Sequence, residues 1–78
     1  MLAVVRVYAA SLEVGRASEA QDWDHAYDLA KEMIEEMSVS VTEEIMDAIK
    51  EENYYFHDLG PESWAVQIIE VEGIGDGT

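Results

Sequence analysis

The chain has no cysteine, a single proline and only four basic side chains in 78 residues. Without cysteine there is no disulfide framework, no thiolate nucleophile and no cysteine-ligated zinc, and a reducing cytoplasm suits such a chain. No apolar run approaches the roughly 18 residues that suggest a membrane-spanning helix. The opening Met1-Leu2-Ala3-Val4-Val5-Arg6 has neither a basic n-region nor a long apolar h-region, so no signal peptide is expected there.

Against these absences stands an excess of one sign. Eighteen carboxylates bring the formal charge to −14 at pH 7. A hydrophobic content of 49% is that of a folding globular chain, so the acid sits on a domain and not on a disordered tail. Duplex DNA carries one charge per about 1.7 Å of axis, so the net charge matches the phosphates along about 24 Å of duplex. A compact domain of this length has a radius of gyration of about 11–12 Å. Charge and size together approximate a short piece of nucleic acid. Such a surface is repelled by anionic lipid and by nucleic acid, and it suits a basic partner.

The pattern along the chain predicts an α+β fold. Residues 2–14 read as one strand, with Val4, Val5, Val7, Tyr8, Leu12 and Val14 as β-formers and a bend near Ala9-Ala10. Gly15 to Ala20 reads as a polar connection, or as a continuation of that strand. Trp23, Ala26, Tyr27, Ala30, Met33, Ile34 and Met37 recur at the spacing of one helical face, with Asp22 as N-cap. Ser40 and Glu43 have capping-box spacing before a second helix over 41–53, striped by Val41, Ile45, Ala48 and Ile49. Residues 54–59 and 64–72 are β-rich and are separated by Gly60-Pro61-Glu62-Ser63, a hairpin signal. The order β-α-α-β-β predicts a three-stranded, mainly antiparallel sheet with two helices on one face. Residues 1–72 are expected to form one domain, and residues 73–78 a flexible C-terminal tail.

The acids gather on the helices. At 100° per residue Asp24, Asp28, Glu32, Glu35 and Glu36 fall within an arc of about 120°, opposite the apolar stripe. Asp24/Asp28, Asp28/Glu32 and Glu32/Glu36 are like-charge i,i+4 pairs, each destabilising by about 0.2–0.5 kcal/mol. Glu32, Glu35 and Glu36 also lie toward the helix C-terminus, where the macrodipole disfavours anions, with Lys31 the only local relief. In the second helix Glu43, Glu44, Asp47 and Glu51 share the solvent face with Lys50, and Glu43/Asp47 and Asp47/Glu51 repel again. Solvation of a charged face is the ordinary account of such a pattern. A local rule broken repeatedly in one direction instead points to function or to an unusual solvent.

Other chemistry is thinly represented. His25 and His57 each have an aspartate nearby, but no HExxH, no DxDxDG loop and no histidine pair at i,i+4 occurs. There is no Gly-x-Ser-x-Gly elbow, and the glycines lack the strand–loop–helix setting of a phosphate cradle. No enzyme activity, metal or other cofactor is expected. In Tyr54-Tyr55-Phe56 alternate side chains must point to opposite sheet faces. One large aromatic therefore faces solvent beside the acids, as an interface anchor would, and Tyr55 is taken as that anchor.

Asp24-His25-Ala26-Tyr27-Asp28-Leu29-Ala30-Lys31-Glu32 resembles the first helix of the T7-type phage antirestriction proteins that mimic DNA. That family is essentially all-helical, so its fold is not carried over. What the resemblance implies is that Asp24, Asp28 and Glu32 stand in for phosphates. In charge, size and mixed β/α pattern the chain is similar in style to anti-CRISPR proteins. The function expected is therefore an anti-CRISPR-type phage inhibitor that evades host defence by blocking a nucleic-acid-binding groove, with antirestriction DNA mimicry as the alternative. Its contact residues would be Asp24, Asp28, Glu32, Glu35, Glu36, Glu43, Asp47, Glu51 and Tyr55. Its partner would be a basic CRISPR effector or restriction enzyme in the cytoplasm of an infected bacterium or archaeon, with no direct contact to nucleic acid or membrane. Homodimerisation is left open. A halophile's acidic domain and a generic binding module for a basic protein are the rival readings.

Overall fold

The computed structural model describes residues 1–71; the expected tail at 73–78 lies outside them. Two β-hairpins flank a pair of helices: β1 Leu2–Tyr8, β2 Val14–Ala20, α1 Trp23–Glu35, α2 Glu43–Glu52, β3 Tyr54–His57 and β4 Trp64–Glu70. A 3-10 turn, Gly60–Glu62, joins the last two strands. The class is α+β, as expected. The sheet has four strands instead of three, all antiparallel, in the order β2-β1-β4-β3.

The extra strand comes from the segment read as one strand and a connection. The chain turns back after Tyr8, whose N–H donates to Glu13 O at 2.9 Å and whose carbonyl accepts from Leu12 N–H at 2.7 Å. Leu12 takes a left-handed φ of 60° to close the loop. β2 reads Val-Gly-Arg-Ala-Ser-Glu-Ala, which has little β-propensity. Its conformation is imposed by pairing with β1 from Leu2↔Ala20 to Val7↔Val14, so tertiary context overrides local preference. Its polarity suits an edge strand.

Asp22 caps α1 as its position predicts, its Oδ1 accepting from His25 N–H at 2.8 Å. His25 returns the contact, Nδ1 accepting from Gln21 N–H at 3.0 Å. α1 ends at Glu35, short of the expected Met37, and Ser38 turns the chain with φ 64°. The expected Ser40–Glu43 capping box is replaced by Thr42, whose Oγ1 accepts from Ile45 N–H at 3.2 Å. Val41 and Met46, at hydrophobic-staple positions around this cap, both pack against the core and set the entry of the helix. Thr42→Ala should therefore cost about 1 kcal/mol in urea denaturation, and Ser40→Ala nothing measurable.

Both helices lie on one face of the sheet. The core joins Leu2, Val4, Ala20, Trp64, Val66 and Ile68 of the sheet to Ala26, Ala30, Met33 and Ile34 of α1 and Ile49 of α2. Register shows that the sheet residues share one pleat, with Leu2 opposite Ala20 and Val4 opposite Ile68. The other pleat faces away from the helices. It carries Val5 and Val7, with Val14 59%, Phe56 44%, Tyr54 41% and Ile69 38% exposed.

Candidate functional site: an acidic helical layer

Residues 22–52 contain Asp22, Asp24, Asp28, Glu32, Glu35, Glu36, Glu43, Glu44, Asp47, Glu51 and Glu52, against only Lys31 and Lys50. All of these acids are exposed. The apolar stripes that dock α1 and α2 on the sheet leave their acidic sides pointing outward, so the helical layer carries most of the chain's negative charge.

The structure divides the five acids of α1 into two groups. Glu32 and Glu36 are engaged from below by the sheet. Arg6, buried on β1, donates through Nη1 to Glu36 Oε1 at 2.9 Å and to the carbonyl of Met33 at 2.9 Å. Arg16 on β2 pairs with Glu32 at 2.7 Å and also with Glu36. Arg6 and Arg16 are direct cross-strand partners, an arrangement that repels by itself; Glu36 bridges the two guanidinium groups. Hydrogen bonding to Glu32, opposed by desolvation and reinforced by the charge of Glu36, holds the Arg16 guanidinium above its ordinary pKa.

This cluster corrects the expectation that Lys31 alone relieves the C-terminal half of α1. Two arginines from distant strands do so, and Arg6 also satisfies a last-turn carbonyl that has no partner within the helix. Asp24, Asp28 and Glu35 form the second group. Among the described residues they make no ion pair, and neither do Glu43, Glu44, Asp47, Glu51 and Glu52 of α2. Lys50 is directed over the Tyr27 ring, 5.7 Å from its centroid. With Arg6 and Arg16 drawn inward, the outer surface is more uniformly negative than the composition alone implies.

Tyr55 is not the aromatic that faces solvent. Its register with Val66 puts it on the helix side of the sheet, half-buried. Its hydroxyl meets His57 Nδ1 at 2.9 Å and its ring packs edge-on against Trp64. The neighbours Tyr54 and Phe56 take the exposed pleat, as alternation requires. Both histidines have local structural contacts: His25 at the α1 cap, and His57 between Tyr55 and Trp64, stacked on the indole at 4.9 Å. Among the described residues no three His, Asp or Glu side chains converge as metal ligands, and no helix is long and apolar enough to cross a membrane.

A cleft of about 370 Å³ opens where the β1–β2 loop, the end of α1 and the 3-10 turn meet, lined by Tyr8, Met37, Leu59 and Pro61 with Glu62 and Ser63. It is mostly apolar, but Glu62 and the hydroxyls of Tyr8, Ser11 and Ser63 also line it, and no histidine stands in its walls to complete a triad. Sequence reasoning missed this cleft because its walls come from three separate segments. No protein-family model matches the chain, and neither a curated protein nor a solved structure is detectably similar to it.

Proposed function

We propose that this protein is a stoichiometric inhibitor that occupies a basic nucleic-acid-binding groove, with carboxylates of its helical layer standing where phosphates would lie. The observation that carries the reading is the sorting of charge just described. The cluster beneath α1 consumes Arg6 and Arg16, while Asp24, Asp28 and Glu35 on α1 and the acids of α2 stay exposed and, among the described residues, unpaired. Asp24 and Glu35 are separated by about 16 Å along the helix axis, so α1 presents these free carboxylates with Asp28 as one row on its solvent side.

Lysine and arginine of the target would pair with these groups, counterions would leave both surfaces, and nucleic acid would be excluded. A CRISPR effector complex is the first target class and a restriction enzyme the second, both drawn from the resemblance of residues 24–32 and of the overall charge. Competition tests the reading. A labelled duplex bound to such a complex should be displaced at near-stoichiometric protein, less completely as salt rises. Equal binding to a basic protein that has no nucleic-acid groove, or target binding that leaves the duplex in place, would overturn it.

A further inference from the structure

The sheet face turned away from the helices has no role in the proposal above. Val5, Val7, Val14, Tyr54, Phe56 and Ile69 make it apolar, and among the described residues its pleat holds only Glu19 as a charged group, with Gln67 as a neutral polar one. A chain of net charge −14 thus keeps one broad face almost free of charge. We infer that this face is the contact surface of a reversible, two-fold homodimer in which two sheets stack face to face.

Charge selects a second copy as the occupant. Two such acidic chains that met through their helices would set carboxylates against carboxylates, whereas this face brings almost no charge to the contact. A basic partner would gain little here and is drawn to the opposite side. Stacked sheets pack about 10 Å apart, and the helices lie beyond each sheet on the outside. The two acidic layers are then separated by more than about 24 Å, three Debye lengths at physiological ionic strength. The contact is isologous, with Phe56 and Ile69 of each copy facing the same patch on the other.

Area bounds the strength. Three seven-residue strands about 23 Å long and the four-residue β3, about 13 Å long, spaced about 4.8 Å apart, present roughly 390 Å². A pair therefore buries roughly 800 Å², below the range of stable complexes and at the low end of weak, transient ones. A contact of this size is weak and reversible, so the dimer is expected at high protein concentration and not at low. The dimer would direct its two helical layers in opposite directions, making it bivalent for a target.

Sedimentation equilibrium of the full chain, from 1 µM to 1 mM in about 10, 150 and 500 mM salt, tests the inference. The mass should rise from 8.8 kDa toward twice that value. Dimerisation should tighten at least about tenfold between the lowest and highest salt, as residual repulsion is screened. Target binding should weaken over the same range, so failure of either reading is visible separately. Phe56→Glu with Ile69→Glu should raise the dissociation constant more than about a hundredfold while circular dichroism stays native. Val14→Glu, at an edge-strand site that is 59% exposed, supplies the same test should the double variant fold poorly. Asp28→Asn with Glu35→Gln should leave the dimer intact. A monomer at 1 mM in 500 mM salt, a dimer indifferent to the sheet-face variants, or a dimer lost on changing the helix acids would each overturn the inference.

Discussion

Trp64→Ala is expected to remove about 3–5 kcal/mol of folding free energy. For a chain of this length the whole reserve is about 4–12 kcal/mol, so much of the population should be unfolded or loosely packed at 25 °C. Trp64 is fully buried and is the largest such side chain among the described residues. It sits at the start of β4, where it supports the stacked His57 ring and the edge of Tyr55. Its loss would therefore open a cavity and also free the short edge strand β3. Trp23 is 37% exposed and packs on Tyr27 at the first turn of α1, so Trp23→Ala should cost less than about 1.5 kcal/mol. Trp64→Phe keeps a ring and discards an indole N–H that is buried without a hydrogen-bond partner. It should lose less than half as much as the alanine variant. Urea midpoints followed by circular dichroism compare the three. Similar midpoints for Trp64→Ala and Trp23→Ala would show that the core does not rest on this side chain.

The elements that could be read in the sequence were those whose own side chains specify them. α1 has a complete apolar stripe and an aspartate cap, and β4 has a run of Trp, Val and Ile bounded by a Gly-Pro turn. β2 was not legible because Gly15, Arg16, Ser18 and Glu19 leave it only one β-former, Val14; only the hydrogen bonds of β1 make it a strand. The Arg6–Glu36–Arg16–Glu32 cluster was equally hidden, since its partners lie 16 to 30 residues apart and meet only when α1 crosses the first hairpin. A trace was present: Arg6 continues the inward parity of Leu2 and Val4, which places a cation on the core side where an acid must answer it. Period-two alternation required Tyr54-Tyr55-Phe56 to split between faces, yet its phase was undetermined. The pairing Tyr55↔Val66 decides it.

The clustered arginines change which charge substitutions are informative about binding. Asp28→Asn with Glu35→Gln removes two carboxylates that make no ion pair among the described residues. Asp28 repels neighbours at i−4 and i+4, and Glu35 faces the unfavourable end of the helix dipole. The melting temperature of this variant should hold or rise. If the layer mimics phosphates, target binding should weaken by about 1–3 kcal/mol for each contact that is desolvated in the complex, a combined loss of at least about thirtyfold. Glu32→Gln with Glu36→Gln should behave differently. It leaves Arg6 buried and directly across the strand from Arg16 with no anion between them. Removing a partner from a buried pair costs about 3–5 kcal/mol; the 43% exposure of Glu36 reduces this to about 1–3 kcal/mol. That variant should therefore lose stability, and any loss of binding would have to be measured well below its unfolding transition. Glu43→Gln with Asp47→Asn on α2 completes the comparison, removing the same amount of charge from the other helix. A large loss from the Asp28/Glu35 pair and a small one from the Glu43/Asp47 pair would assign the contact to α1. Equal, small losses from both would mean that diffuse net charge governs binding. No loss from either, with binding abolished by Phe56→Ala or Tyr54→Ala, would move the interface to the apolar sheet face and end the phosphate-mimic reading.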